Sequence, residues 1–260
     1  MKKFFFNIKR YFRYAVRSAK AELKSEVADS YLNWLWWVIE PVCFMLIYTF
    51  IFGVVFPNNQ PYFASFVFIG LTIWEFFNRM ITGSITLITN NRGLVTKVYI
   101  PKYILLLAKS FTYLFKMMIS LIIAFALIII QGVPISWYFI LFIPILFVIY
   151  ILSFAMGLIL MHYGVLLNDL SNLVRIALRM VFYLSGVFYN IRKRIKGTVG
   201  FVLLRANPIA FLMDEIRKVM LECKFPSVEG LLVWIIVSVV LLILGVKLIN
   251  KNENSYAKVI

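Results

Sequence analysis

The sequence is poor in the side chains on which most enzymes and metal sites depend. It has two cysteines and one histidine among 260 residues, and only 15% of its residues are charged. Cys43 lies in an apolar run and Cys223 in a polar loop, so they predict neither a zinc cage nor a disulfide framework, and both are expected to be free thiols. His162 has no cysteines or carboxylates clustered near it, which argues against a metal site and against a Ser-His-Asp arrangement.

Motifs for nucleotide and sugar chemistry are missing as well. No Gly-x-x-x-x-Gly-Lys-Ser/Thr stretch or similar glycine loop is present, so the chain lacks a recognisable cradle for the phosphates of ATP. No paired aspartates suggest a metal-dependent glycosyltransferase. We therefore predict that the chain is not an enzyme, that it binds no cofactor or metal of its own, and that any ATP is hydrolysed on another chain.

Apolar side chains are what the sequence has in abundance. Hydrophobic residues make up 63% of the chain, which exceeds what the surface of a soluble protein tolerates. The run Trp137–Tyr163 carries no formally charged side chain, and a membrane span needs roughly 20 such residues. The first 35 residues contain eight Lys or Arg and no compact apolar stretch followed by a cleavage site, so we interpret them as retained rather than as a signal peptide. The pattern predicts an all-α polytopic membrane protein.

Six membrane spans are predicted, and no repeat or linker divides residues 1–260 into more than one membrane domain. An even number of spans returns both termini to one side of the membrane. Two of the spans are interrupted by charges, the second by Glu75 and Arg79 and the fifth by Arg175 and Arg179. The predicted spans are 36–56, 63–83, 103–130, 137–162, 172–190 and 229–249.

The distribution of basic residues predicts that both termini are cytoplasmic. Lys and Arg in short loops resist translocation, and they are concentrated in the amino-terminal segment, in the loop after the second span and in the tail. The loops 57–62 and 131–136 contain no Lys or Arg, which fits the outer side.

Residues 191–226 break this rule. The segment carries eight basic residues against three carboxylates, yet six spans place it outside. It also contains the apolar stretch Val199–Met213, which is interrupted by Arg205 and too short to cross a membrane. A re-entrant hairpin that dips into the outer leaflet explains both features, because irregular backbone is tolerated at that depth where protein or water satisfies it. The alternative is a missed span.

An amphipathic helix is predicted over residues 1–35. At 100° per residue an apolar side separates from a basic side, which predicts a helix lying in the cytoplasmic interface with its apolar side among acyl chains. It is either a simple anchor or a lever packed against a partner. Tryptophans at 34, 36 and 37 mark the interface where the first span begins. The apolar side consists of Phe4, Ile8, Tyr11, Phe12, Ala15, Ala19 and Leu23.

Charges inside the predicted spans have two interpretations. Glu75 and Arg79 are one helical turn apart and are expected to neutralise each other. Snorkelling to the interface accounts for Lys109 and Arg175. The candidate contacts for an anionic lipid headgroup such as a diphosphate are Lys116, Arg175 and Arg179.

Aromatic residues are also abundant, at 17% of the chain. Most of the phenylalanines are expected to face lipid. Sugar C–H faces pack on aromatic rings, so aromatics that line a pore could let a glycan slide through it. On this argument the candidate glycan-path aromatics are Tyr183, Phe188 and Tyr189.

Four stretches in order along nearly the whole chain resemble the permease family of type-2 ABC exporters that export O-antigens, teichoic acids and related capsule-type polymers. The stretch 33–41, Asn-Trp-Leu-Trp-Trp-Val-Ile-Glu-Pro, resembles that family's passage into its first span. Residues 93–102 resemble its cytoplasmic loop, residues 168–170 and 184–189 its fifth span, and residues 207–217 its outer hairpin. The family often has Ser-Pro where this chain has Ser185-Gly186.

The resemblance implies a permease subunit for lipid-linked polysaccharide in the cytoplasmic (inner) membrane. Its expected partners are a second copy of itself, two copies of an ABC ATPase subunit that carry ATP and Mg, the glycan substrate and membrane lipids, with no nucleic acid. The cytoplasmic loop 84–102 is expected to couple to the ATPase, and the outer hairpin covers 191–227. The coupling residues are Arg92, Leu94, Lys97, Tyr99, Pro101 and Lys102; the hairpin residues are Asn207, Pro208, Asp214, Glu215 and Arg217.

Two other functions remain open. A type-2 exporter of drugs or simple lipids would share the same topology, and a stand-alone membrane enzyme or scaffold would lack an ATPase partner.

Overall fold

The computed structural model describes residues 2–28, 32–55, 60–195, 197–253 and 256, and within this part of the chain all regular structure is helical. Short 3₁₀ segments at Asn33–Leu35 and Trp137–Leu141 precede two of the long helices, and a π-helical segment, Ile51–Val55, follows the first of these two. The helices are α1 Lys2–Ala28, α2 Trp36–Phe50, α3 Phe63–Ile85, α4 Leu87–Asn90, α5 Arg92–Lys97, α6 Lys102–Ile130, α7 Phe142–Leu166, α8 Leu170–Leu184, α9 Ile191–Arg194, α10 Thr198–Ala206, α11 Pro208–Leu221 and α12 Val228–Lys251.

Five helices of the described chain are long and apolar enough to cross a membrane. They are Trp36–Gly53, Phe63–Ile85, Lys102–Ile130, Trp137–Leu166 and Val228–Lys251, and they match five of the six predicted spans. The predicted span 172–190 corresponds to α8, which has 15 residues. At 1.5 Å per residue α8 is about 23 Å long, shorter than a hydrocarbon core of about 30 Å. Six complete spans therefore stay a prediction.

Helix α8 ends six residues earlier than predicted because the chain turns after Leu184. Gly186 has a φ of 66°, a left-handed conformation that residues other than glycine rarely adopt. A Cβ at this position would lie 2.6 Å from Ile191 Cγ1, which also excludes a side chain. The backbone conformation and the close neighbours of position 186 thus both favour glycine.

Helix α3 forms the centre of the bundle, with most of its residues buried. It packs against α2, α6, α7 and α8, while α12 packs along α7. Most side chains of α3 therefore meet other helices, while Glu75 stays 49% exposed.

Helix α1 packs lengthwise against α6. The Phe4 and Tyr103 rings are 5.0 Å apart, and Asn7 Nδ2 donates to the Tyr103 hydroxyl at 2.7 Å. Farther along, Lys109 forms an ion pair with Glu22. The two helices therefore run in the same direction, side by side.

Part of the predicted apolar side of α1 packs on protein, while Phe12 of the same side is 49% exposed, and its place among acyl chains stays a prediction. Phe4, Ala15 and Ala19 are buried in the protein, whereas Phe5 and Phe6 are exposed. The reason is the length of α6, whose 29 residues span about 44 Å and extend beyond the bilayer core. The extended part of α6 provides a surface that covers the small residues of α1.

Candidate functional site

The end of the bundle that carries α4 and α5 presents four of the six predicted coupling residues at or near the surface. Arg92, Lys97 and Tyr99 are exposed and Leu94 is half-buried, while Val95 anchors α5 in the core. This end of the protein therefore offers a short basic helix with apolar neighbours to a binding partner.

The other two predicted coupling residues, Pro101 and Lys102, lie inside the protein. Only 4% of Lys102 is exposed, and its Nζ donates to the Ile100 carbonyl at 3.3 Å. The chain enters α6 at this point, so both residues position the loop instead of presenting themselves to a partner.

The carboxyl-terminal tail folds back onto the same end of the bundle. The Tyr99 hydroxyl donates to Glu253 Oε2 at 3.2 Å. The pKa of Tyr99 is raised mainly by burial and secondly by the negative charge of Glu253. The Tyr256 hydroxyl lies 2.8 Å from His162 Nδ1. This contact gives His162 a structural role, and the described residues contain no group of side chains that could hold a metal ion.

Helix α8 exposes one side along its whole length. Arg175 and Arg179 are exposed, and neither forms an ion pair with any residue that the structure describes. Tyr183 is 66% exposed on the same helix, whereas Leu178 faces inward. The open side of α8 thus combines two uncompensated cations with an aromatic ring.

The two other candidate glycan-path aromatics lie deeper. Phe188 is buried in a cluster of rings, with its centroid 4.2 Å from that of Tyr48 and 4.9 Å from that of Phe52. Tyr189 is half-buried and its hydroxyl donates to the Tyr183 carbonyl at 2.9 Å. Within one chain, only Tyr183 is freely accessible.

A cavity of about 260 Å³ lies between α2, α3 and α6. Arg79 connects two of these helices, since its Nε donates to Glu75 Oε1 at 2.8 Å and its Nη2 lies 3.5 Å from Glu40 Oε2. The predicted pairing of Glu75 with Arg79 is present. Sequence reasoning missed the second carboxylate, Glu40, because no local pattern links a residue on α2 to one on α3.

Lys116 also lines this cavity. Its Nζ is 2.5 Å from Glu26 Oε2 of α1. The neighbouring Phe115 packs against Trp37 with ring centroids 5.7 Å apart, at the level where α2 begins. The charge of this candidate headgroup contact is therefore already balanced by a carboxylate.

The predicted hairpin forms a compact helical unit of α9, α10 and α11. Asn207 caps α11, because its Oδ1 accepts from the backbone N–H groups of Ile209 and Ala210 at 3.1 and 3.3 Å, and Pro208 occupies the first turn. The Asn207 amide also donates to Ser185 Oγ at 2.9 Å, which joins α11 to the turn after α8.

Two buried carboxylates hold the hairpin together. Glu215 is fully buried and contacts Arg192 at 3.2 Å and Lys218 at 2.8 Å, and it accepts from the Ser227 N–H at 2.8 Å. Asp214 contacts Arg192 at 2.7 Å. Burial raises the pKa of Asp214, and the charge of Arg192 opposes this shift.

Arg217 fastens the hairpin to the bundle. It donates to three backbone carbonyls, those of Phe66 at 3.0 Å, Gly186 at 2.8 Å and Val187 at 2.7 Å, and its guanidinium lies 3.5 Å from the centre of the Phe66 ring. Burial lowers the pKa of Arg217 to about 9, so the group stays charged at neutral pH. Arg192 and Lys218 thus pair with carboxylates of the hairpin, and Arg217 binds carbonyls of the bundle.

Comparison with known proteins gives a consistent result over most of the chain. A sequence model of the family described as ABC-2 type transporter matches residues 16–221. The chain is 29% identical over 237 residues to the O-antigen export system permease protein RfbA of Myxococcus xanthus, covering 91% of each. Two proteins of the same name from Klebsiella pneumoniae are 23% and 21% identical, each over 98% of both chains.

Proposed function

Because the chain belongs to the ABC-2 type transporter family, we propose that it is the permease subunit of an exporter that moves lipid-linked polysaccharide across the cytoplasmic membrane. The observation that carries this proposal is the similarity, over nearly their full length, to three proteins named as O-antigen export permeases. Membership of a permease family and the lack of a phosphate-binding loop support a transport role without catalysis by this chain.

The energy for transport comes, in this proposal, from two copies of a separate ABC ATPase that bind ATP and Mg. Helix α5 is the coupling element, because Arg92, Lys97 and Tyr99 project from the bundle while Val95 ties α5 to the core. Closure of the ATPases pushes on α5 and shifts the bundle between two arrangements, each favoured by one nucleotide state.

The glycan path lies between two copies of the chain and is bordered by α8. Arg175 and Arg179 are free to meet the phosphates of a lipid-linked headgroup, and Tyr183 offers an aromatic surface to the sugars. Phe188 and Tyr189 support this surface from behind. In this arrangement both termini are cytoplasmic and the hairpin 191–227 closes the outer end.

The substrate is tested by depleting the protein in its native host. Lipid-linked glycan is expected to accumulate on the cytoplasmic side, and surface polysaccharide should fall in parallel. Normal polysaccharide export during depletion would instead favour an exporter of drugs or simple lipids, which would share the same topology.

The ATPase partner is tested by copurification in mild detergent, without crosslinking for the comparison of variants and with crosslinking at Lys97 for the parent protein. We expect the double variant Arg92→Glu/Lys97→Glu to reduce the recovered ATPase several-fold. Both side chains are exposed, so the reversal of their charge should weaken binding to the partner without unfolding the protein. The matched control is Lys251→Glu, which reverses an exposed charge at the end of α12. If the parent protein never recovers an ATPase, the transporter proposal is wrong.

A further inference from the structure

The cavity between α2, α3 and α6 is bordered by Trp37. Trp37, which packs against Phe115, is in the first turn of α2, and indoles prefer the boundary between headgroups and acyl chains. Each helix lines the cavity with residues spaced by three or four positions, as one helical face requires. The volume of about 260 Å³ equals roughly eight waters at ~30 Å³ each, which suits a small polar group.

The two carboxylates that line the cavity can accept more hydrogen bonds than the protein donates to them. Glu40 and Glu75 share the single guanidinium of Arg79, at 3.5 Å and 2.8 Å respectively. Their side chains are 52% and 49% exposed, and an ionised carboxylate accepts up to about four hydrogen bonds. Both carboxylates can therefore accept further donors from a molecule inside the cavity.

Thr72 provides a second, independent indication of a ligand. It lines the cavity, is only 5% exposed, and its hydroxyl has no hydrogen-bond partner among the described residues. By contrast, the Thr82 hydroxyl of the same helix donates to the Asn78 carbonyl, four residues earlier, at 2.7 Å, as helical threonines usually do. A buried hydroxyl without a partner is costly, so a polar group that enters the cavity would be stabilised by Thr72.

The remaining lining suits a zwitterion. Trp37, Trp74 and Tyr48 border the cavity, and Trp37 already has a cation over its ring, since Lys116 Nζ lies 5.9 Å from its centre. Arg79 and Lys116 border it as well and can meet a phosphate, and the charge of Lys116 is balanced by Glu26.

We propose that this cavity binds the primary ammonium of a membrane amphiphile, with the phosphoethanolamine headgroup of an aminophospholipid as its occupant. Glu40 and Glu75 accept the N–H donors of the ammonium, Thr72 completes its hydrogen bonds, and Arg79 and Lys116 contact the phosphate. Among the lining residues Phe182 belongs to α8, and the proposal does not depend on the proposed function.

The test is native mass spectrometry of the purified full-length protein, incubated with equal amounts of phosphatidylethanolamine, phosphatidylcholine and phosphatidylglycerol. The protein should retain phosphatidylethanolamine about tenfold more than the other two, because a quaternary ammonium has no N–H donor and phosphatidylglycerol has no cation. Glu40→Gln should reduce this preference about tenfold, and Thr72→Val about fivefold. The matched control Glu229→Gln changes an exposed carboxylate of α12 and should leave the preference unchanged.

The source of the ammonium is tested in a second arm with soluble ethanolamine and O-phosphoethanolamine. If phosphatidylethanolamine is retained and millimolar ethanolamine does not displace it, the lipid is the occupant. Binding of the soluble amines without retention of the lipid would overturn the lipid assignment. Equal retention of phosphatidylethanolamine and phosphatidylcholine would overturn the proposal as a whole. An unchanged preference of Thr72→Val for phosphatidylethanolamine would also overturn the proposal. Because this substitution is buried and nearly isosteric, it tests the proposal even if Glu40→Gln fails to fold.

Discussion

Arg217 connects three parts of the fold that are far apart in the sequence. Its guanidinium joins α3, the turn after α8 and α11 through three carbonyls, and it is fully enclosed by them and by the Phe66 ring. A guanidinium carries five donors in a fixed fork, so it can satisfy several carbonyls that a shorter cation would leave unpaired. The turn at Gly186, which follows the end of α8, brings the carbonyls of Gly186 and Val187 to Arg217.

Replacement of Arg217 should therefore destabilise the hairpin and the bundle together. We expect Arg217→Ala to lower the free energy of unfolding by at least about 3 kcal/mol, since three carbonyls each lose a charge-assisted bond worth ~1.5–3 kcal/mol. Arg217→Lys should lose less, because an ammonium keeps the charge and part of the bonding. Thermal unfolding in detergent measures both variants. Equal stability of Arg217→Ala and the parent would contradict this role.

Gly70 of α3 gives a second prediction at the residue scale. A Cβ at position 70 would lie 2.1 Å from Arg217 Nη2 and 3.2 Å from Met213 Sδ. Gly70→Ala should therefore displace the guanidinium and cost about 1–3 kcal/mol, as overpacking usually does. The control is Gly93→Ala, where an added Cβ meets nothing within 4 Å and stability should not fall. Unfolding temperatures that drop equally for both variants would show that the effect is not steric.

At the scale of elements, the pair α1 and α6 behaves as one unit. The contacts extend from Tyr103, through the ion pair of Lys109 with Glu22, to Lys116 with Glu26. Glu22 also accepts from the Thr112 hydroxyl at 3.0 Å. These contacts favour the lever interpretation of α1, because a push on α6 would move α1 with it.

A double-mutant cycle measures how strongly the two helices are joined. Glu22→Ala and Lys109→Ala should show a coupling free energy of about 1 kcal/mol, since both side chains are only 26% exposed and the pair is partly shielded from water. The control cycle combines Lys109→Ala with Lys24→Ala, an exposed residue on the other side of α1, and its effects should add. Additive effects in the Glu22 cycle would mean that the ion pair does not hold α1 in place.

At the scale of the whole molecule, the position of the hairpin decides the topology. Cys223 would report it poorly, because the residue is only partly exposed and its thiol donates to the Pro134 carbonyl at 2.9 Å. The next residue, Lys224, has a side chain that is 68% exposed.

In a Cys43→Ser/Cys223→Ser background, we expect Lys224→Cys to be labelled by an impermeant thiol reagent on intact cells. Lys97→Cys, exposed on α5, should be labelled only after lysis and serves as the control. Labelling is read from the mass of the purified protein. Protection of Lys224→Cys until lysis would place the hairpin on the cytoplasmic side and contradict six crossings.

Local sequence properties by themselves determined the membrane class, the helical composition and most helix positions. An uncharged run as long as Trp137–Tyr163 indicates a membrane span. The capping residue Asn207 and the following Pro208 indicate the start of α11. The partners of the charged residues were decided only by the tertiary structure. Arg217 and Phe66 are 151 positions apart, and Lys109 and Glu22 are 87 apart. A periodic pattern shows which side of a helix is polar, but which carboxylate or carbonyl meets that side depends on how the helices pack.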